Sequence, residues 1–137
     1  MEKIAVFGLG YAGLPLSLTY TLHEAQVYGV DINKEYVELL KKGKTHVYEE
    51  YNGKTIEEIL KGSLNNNLFI PTTSYEEVLR KVSNIILTIG IPIKQELIKL
   101  DVELLGSLMK EKSIIFDPKG LLDRKEIEKL GFVYISI

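Results

Sequence analysis

The stretch IAVFGLGYAGLPLSL, residues 4–18, constrains the fold more than any other part of this chain. A short apolar run meets glycines at 8, 10 and 13, spaced G-x-G-x-x-G, and a helical apolar pattern follows them. Each glycine has its own physical reason. Gly8 permits a tight turn out of a strand. Gly10 lets the backbone approach a pyrophosphate with no Cβ between them. Gly13 lets the helix pack closely on the strand, so that its unpaired N–H groups and positive dipole end face the phosphates. Tyr11 and Ala12 complete the loop. The run from 4 to 22 carries no charged side chain, which approaches the length of a membrane span. Three glycines, a proline, two tyrosines and two threonines within it point instead to strand, turn and helix.

The rest of the chain alternates in the same way. KIAVFG predicts a strand, and the helix after Gly13 carries Leu14, Leu18, Leu22 and Ala25 on one stripe. QVYGVD predicts a second strand and Asn33 to Lys42 a helix. GKTHVYEEYNGK predicts a loop. TIEEILKG predicts a helix opened by a Thr55–Glu58 capping box, and NLFIPT a strand ended by Pro71. Ser74 and Glu77 form a second capping box, for a helix to about Lys81. SNIILTIG is an apolar strand, followed by a helix from Asp101 to Lys110 and a strand at KSIIFDP. DRKEIEKLG predicts a helix capped by Asp123 and stopped by Gly131, and FVYISI a last strand.

Six strands separated by helices predict an α/β fold, a doubly wound parallel sheet in strand order 3-2-1-4-5-6, Rossmann-like and a single domain over 1–137. IAVF, IILTI and SIIF are continuously apolar, as strands covered on both faces should be. In such a sheet the acid that ends the second strand faces the glycine loop. Asp31 lies 18 residues after Gly13, near the offset at which a carboxylate accepts both ribose hydroxyls of an adenosine. A carboxylate there repels a 2′-phosphate, which favours NAD over NADP; Lys34 is the one nearby cation that could compensate. The cofactor candidates are therefore Gly8, Gly10, Tyr11, Ala12, Gly13, Asp31, Asn33 and Lys34. Two other readings stay open: glycines that only make a turn, and an S-adenosylmethionine site, which also pairs a glycine loop with an acid.

Composition removes several chemistries. The 137 residues include no cysteine, which excludes disulfides, thiolate metal sites and thiol mechanisms within them and fits a cytoplasmic setting. The two histidines, His23 and His46, are too few for a histidine-rich metal cluster. A formal net charge of −2, with lysines interleaved among glutamates, leaves no footprint for nucleic acid or an anionic membrane.

Four stretches carry a resemblance: IAVFGLGYAGLPLSL, VYGVDINKEYVELLKKG, LNNNLFIPTTSYEEVLRKVSNIILTIGIP and IIFDPKGLLDRKEIEKLGFVYISI. They resemble UDP-glucose and UDP-N-acetylmannosamine dehydrogenases, NAD-dependent nucleotide-sugar 6-dehydrogenases. The first three resemble the family's N-terminal cofactor domain, and residues 113–137 look like the end of its C-terminal domain, so the chain joins the two ends and omits the middle. The resemblance implies NAD as cofactor. It also implies that family enzymes oxidise an alcohol to an acid through a cysteine thioester, assisted by a lysine, an asparagine and a glutamate from the omitted region. The family's T-P pair after the fourth strand is here Ile91-Pro92, and its E-P pair after the second helix is here EEY, retaining Glu49 or Glu50 without the proline.

Asp117, Lys119 and Asp123 are the polar groups expected nearest a nicotinamide, although DPKG is an ordinary turn and Asp123 a helix cap. No catalytic residue is assigned. The expectation is an NAD-binding domain of nucleotide-sugar dehydrogenase type without stand-alone activity. The alternatives are a subunit completed by a catalytic partner chain, and a non-catalytic assembly module that forms a homodimer through its last strand.

Overall fold

One six-stranded sheet organises the protein, in a computed structural model that describes residues 1–88 and 102–136. In chain order the elements are β1 (Lys3–Phe7), α1 (Gly13–Leu22), β2 (Gln26–Val30), α2 (Lys34–Lys41), β3 (Glu50–Tyr51), β4 (Lys54–Thr55), α3 (Ile56–Asn65), β5 (Phe69–Thr72), α4 (Tyr75–Leu79), β6 (Asn84–Leu87), α5 (Val102–Leu108), β7 (Ile114–Phe116), α6 (Arg124–Lys129) and β8 (Val133–Ile135). The sheet order is β5-β2-β1-β6-β7-β8. Every neighbouring pair is parallel, and this is the expected 3-2-1-4-5-6 arrangement. All six carboxyl ends therefore open on one edge.

Side chains alternate between two cores because strand residues point to opposite faces. Ile4, Val6, Val27 and Ile86 meet Leu14 and Leu18 of α1, Tyr36 and Leu40 of α2, and Ile59 and Leu60 of α3. Ala5, Phe7, Tyr28, Ile85, Leu87 and Ile115 meet Val78 and Leu79 of α4, Leu105 of α5 and Ile127 of α6. No described helix is long and apolar enough to cross a membrane.

Several local expectations change. Leu14 and Leu18 are buried, but Leu22 is exposed, and the chain has already turned at Glu24 (φ 66°) before Ala25 enters the core. Pro71 does not end β5; it sits inside it, paired with Gly29. That is tolerable because β5 is an edge strand and the missing N–H is not required on its free side. The 43–54 loop contains the β3–β4 hairpin, whose turn residues Asn52 and Gly53 both take positive φ, as a two-residue Asn-Gly turn requires. The Thr55 cap forms, with its Oγ1 accepting from the Glu58 N–H at 3.1 Å, and α3 runs on to Asn65. The Ser74 hydroxyl caps nothing. Instead the Ser74 N–H donates to Thr72 Oγ1 at 3.0 Å, and α4 ends at Leu79. Asp123 accepts from the Glu126 N–H at 3.1 Å, as expected. Asp101, the expected start of α5, and Ile137, the last residue of FVYISI, lie outside the described residues.

Among the described residues SIIF is only partly covered on one of its faces, with Phe116 against the core there and Ile114 exposed. Helices α1–α3 lie over β1, β2 and β5, while Ile114 with its register partner Val133, and Ile135 beyond them, remain 38–48% exposed on that same side.

Candidate functional site

The site starts at the turn out of β1. Gly8 takes φ 93°, and its N–H donates to the Val30 carbonyl at 2.8 Å, carrying the β1–β2 ladder one residue past the strand. A Cβ on Gly13 would stand 1.7 Å from the Gly8 carbonyl oxygen and 2.5 Å from Thr88 Oγ1. No side chain fits there, so the start of α1 lies directly on the β1 turn. Gly10 differs: a Cβ on it would meet nothing within 4 Å. The fold itself demands Gly8 and Gly13, whereas the space beside Gly10 is open.

Helix α1 begins without a lid of its own. Ala12, its N-cap, offers no side-chain acceptor, and no acid stands in the first turn. Helices α2, α3 and α6 are instead closed by Asn33, Thr55 and Asp123, each with glutamate in the first turn. Among the described residues no protein acceptor takes the N–H groups of Gly10, Tyr11, Ala12 or Gly13. Four unpaired donors therefore cluster at the positive end of a ten-residue helix that has no capping side chain and no acid in its first turn, the electrostatics of an anion-binding loop. Tyr11 is 71% exposed beside them.

Asp31 closes the site from the next strand. Its Oδ2 accepts from the Leu9 N–H at 3.0 Å and its Oδ1 from the Asn33 N–H at 3.0 Å. One lone pair remains on each oxygen for further donors. Asn33 caps α2 through the Tyr36 N–H at 3.0 Å, which fixes its side chain on the helix. Lys34 is exposed at the start of α2, and Ile32, 48% exposed, stands between Asp31 and that helix.

Two supports escaped the sequence reading. The Tyr36 hydroxyl donates to the Leu9 carbonyl at 2.6 Å. Burial pushes this hydroxyl above its ordinary value of 10.0; a Thr45 hydrogen bond opposes the rise and the Asp31 charge adds to it. A tyrosine on the buried stripe of an otherwise apolar helix face was the available signal, since a buried phenol needs a partner. Thr88, just past β6, bridges the turn by donating its hydroxyl towards the Phe7 and Gly8 carbonyls at 2.9 and 2.7 Å.

The other named residues are otherwise engaged. Asp117 is fully buried, and its carboxylate accepts from the Leu121 and Leu122 N–H groups and, at 2.5 Å, from the Tyr134 hydroxyl. Burial and that hydrogen bond push the Tyr134 hydroxyl up to about 12. Lys119 is exposed. His23 is exposed past the end of α1, and His46 packs its ring 5.0 Å from that of Tyr36. Glu49 and Glu50 line a pocket of about 280 Å³ with Val47, Tyr48 and Glu57 beside α3. Ile91 and Pro92 lie outside the described residues. Among the described residues no three His, Cys, Asp or Glu side chains could hold a metal ion together.

Comparison with known proteins places this geometry. Residues 2–117 match the UDP-glucose/GDP-mannose dehydrogenase family, NAD binding domain. The UDP-N-acetyl-D-mannosamine dehydrogenase of Campylobacter jejuni is 45% identical over 48 residues, covering 35% of this chain and 12% of that protein. Its counterpart in Salmonella typhimurium is 37% identical over 59 residues, covering 43% and 14%. Among solved structures, a UDP-N-acetyl-mannosamine dehydrogenase from Staphylococcus aureus superposes with a TM-score of 0.76 at 23% identity, over 98% of this chain and 36% of that one. The GDP-mannose dehydrogenase of Pseudomonas aeruginosa gives 0.73 at 20% identity, over 97% and 35%. These superpositions show the fold. The chain thus spans about a third of the solved proteins it overlays, and the aligned segments span about an eighth of the curated relatives.

Proposed function

The chain belongs to the UDP-glucose/GDP-mannose dehydrogenase family and carries its NAD-binding domain, and from that premise we propose that Gly8, Gly10, Tyr11, Ala12, Gly13, Asp31, Asn33 and Lys34 hold the cofactor. The observation that carries this assignment is the contact of acid and loop: Asp31 Oδ2 is 3.0 Å from the Leu9 nitrogen, so ribose acceptor and phosphate donors form one surface. The loop N–H groups take the pyrophosphate, the open space at Gly10 admits it, and Asp31 accepts from the adenosine ribose. Asn33 fixes the start of α2, and Lys34 lies at the rim. When bound, the nicotinamide accepts a hydride.

By itself the domain has no dehydrogenase activity of the family's kind. No cysteine occurs in the 137 residues, Asp117 is sealed in its hydrogen bonds, and Asp123 is spent as a cap. Residues 113–137, which resemble the end of the family's C-terminal domain, supply β7 and β8 to a single domain over 1–137, working in the cytoplasm. Calorimetric titration with NAD tests the assignment. Wild type binds, and Asp31→Ala binds at least tenfold more weakly through loss of two charge-assisted acceptor bonds. Failure of wild type to bind NAD at millimolar concentration refutes it.

A second reading rests on the exposed side of β7 and β8. Ile114, Val133 and Ile135 form an apolar strip on a parallel sheet, which elsewhere in this fold is covered. On this reading a catalytic partner chain, or a second copy in a homodimer, covers the strip and completes a nucleotide-sugar dehydrogenase or an assembly. The outward carbonyl of Tyr134 on edge strand β8 is already taken by Arg124 at 3.1 Å, so face packing is favoured over strand pairing. Light scattering that gives a monomer at all concentrations, with no NAD reduction in any mixture with a candidate partner and a UDP-sugar, counts against it.

A further inference from the structure

The glycine loop depends on a group that no motif contains. Both peptide groups that flank Leu9 are held by side chains from other elements. The Leu9 N–H donates to Asp31 at the end of β2, and the Leu9 carbonyl accepts from the Tyr36 hydroxyl on α2. Leu9 itself is fully buried, so the residue is fixed at three points.

A trans peptide is planar, with its C=O and N–H on opposite sides. Turning the Leu9 carbonyl towards Tyr36 therefore turns the Gly10 N–H away from α2. Gly10 N–H is the first of the four unpartnered donors, and Gly10 has no Cβ to restrict its own rotation. Without the Tyr36 bond, rotation of the Leu9–Gly10 peptide would misaim that donor and loosen the start of α1. Resting on the NAD-site reading above, we propose that Tyr36 is a positioning residue for pyrophosphate: its hydroxyl sets the Leu9–Gly10 peptide so that the loop donors are aimed before the ligand arrives. His46 and the Asn33 cap hold the phenol in place, the first through ring contact at 5.0 Å and the second through the Tyr36 N–H.

The test compares ligands that share the adenosine end but differ at the phosphates. Calorimetry with NAD, ADP and adenosine is run on wild type and on Tyr36→Phe, which keeps the ring and removes the hydroxyl. Loss of one preorganising hydrogen bond predicts roughly five- to tenfold weaker binding of NAD and ADP, with adenosine within about twofold. A merely structural role would lower the melting temperature and weaken all three ligands alike, and that result overturns the proposal. So does unchanged affinity for ADP. Nuclear magnetic resonance on free wild type gives a check that needs no variant: a slowly exchanging Tyr36 hydroxyl proton and a protected Leu9 amide are expected. Fast exchange of both refutes the clamp even if Tyr36→Phe fails to fold. Wild type that binds neither NAD nor ADP refutes the NAD reading itself, whereas wild-type binding with an unaffected variant refutes only the role of Tyr36.

Discussion

Alanine at Gly13 and alanine at Gly10 should have opposite consequences, although both replace a glycine of one motif. At Gly13 the new methyl would lie 1.7 Å from the Gly8 carbonyl oxygen and 2.8 Å from its carbon, with Thr88 Oγ1 at 2.5 Å. A Cβ atom essentially never comes within 3.0 Å of such a neighbour, so α1 and the β1 turn must separate by about 1.3 Å in an interior packed at crystal density. Neither obstacle is a flexible chain end. Leu14 and Leu18 would be drawn out of the core with the helix, since both are almost completely buried. Overpacking of this kind costs about 3 kcal/mol. For a domain of this size that corresponds to a fall in Tm of roughly 10 °C. At Gly10 the methyl meets open space and the backbone φ is not in the left-handed region, so stability should stay within about 0.5 kcal/mol of wild type. NAD affinity should nevertheless fall at least tenfold, because the methyl occupies the phosphate's line of approach. Thermal denaturation and calorimetric titration of the two variants read both axes. If Gly10→Ala unfolds as early as Gly13→Ala, or binds NAD as wild type does, the division between glycines required by the fold and by the ligand is wrong.

Tyr134 makes stability depend on alkaline pH. Its hydroxyl ionises near 10 in the unfolded chain and at about 12 in the fold, so between these values the native state keeps a proton that the unfolded chain has lost. Stability is complete below pH 10 and falls as pH rises towards 12, by up to about 2.7 kcal/mol. Urea unfolding should show a steeper slope in wild type than in Tyr134→Phe, which keeps only the smaller part from other raised groups such as Tyr36; equal slopes would remove Tyr134 as a source. The two serine/threonine boxes should also part company. Thr55→Ala loses a formed cap and about 1 kcal/mol, whereas Ser74→Ala changes stability by less than about 0.5 kcal/mol because the Ser74 hydroxyl caps nothing.

The sequence by itself determined the parallel α/β fold, the strand order and the identity of the loop and its acid. These follow from local signals: short apolar runs in the strands, helix caps at Asn33, Thr55 and Asp123, and glycines whose spacing few other structures require. It overreached where the local signal was right but the neighbourhood decided otherwise. Ser74 has the sequence of a cap, yet Thr72 takes its N–H; Ile114 to Phe116 are apolar throughout, yet no described helix covers Ile114. Only the tertiary structure separated Gly13, pressed against the Gly8 carbonyl, from Gly10, which faces open space. Only it brought Tyr36 and Thr88, 27 and 80 residues away along the chain, onto the backbone of the turn. Spacing along a chain can specify a loop's own conformation, but what holds that loop rigid comes from side chains whose proximity exists only once the sheet has formed.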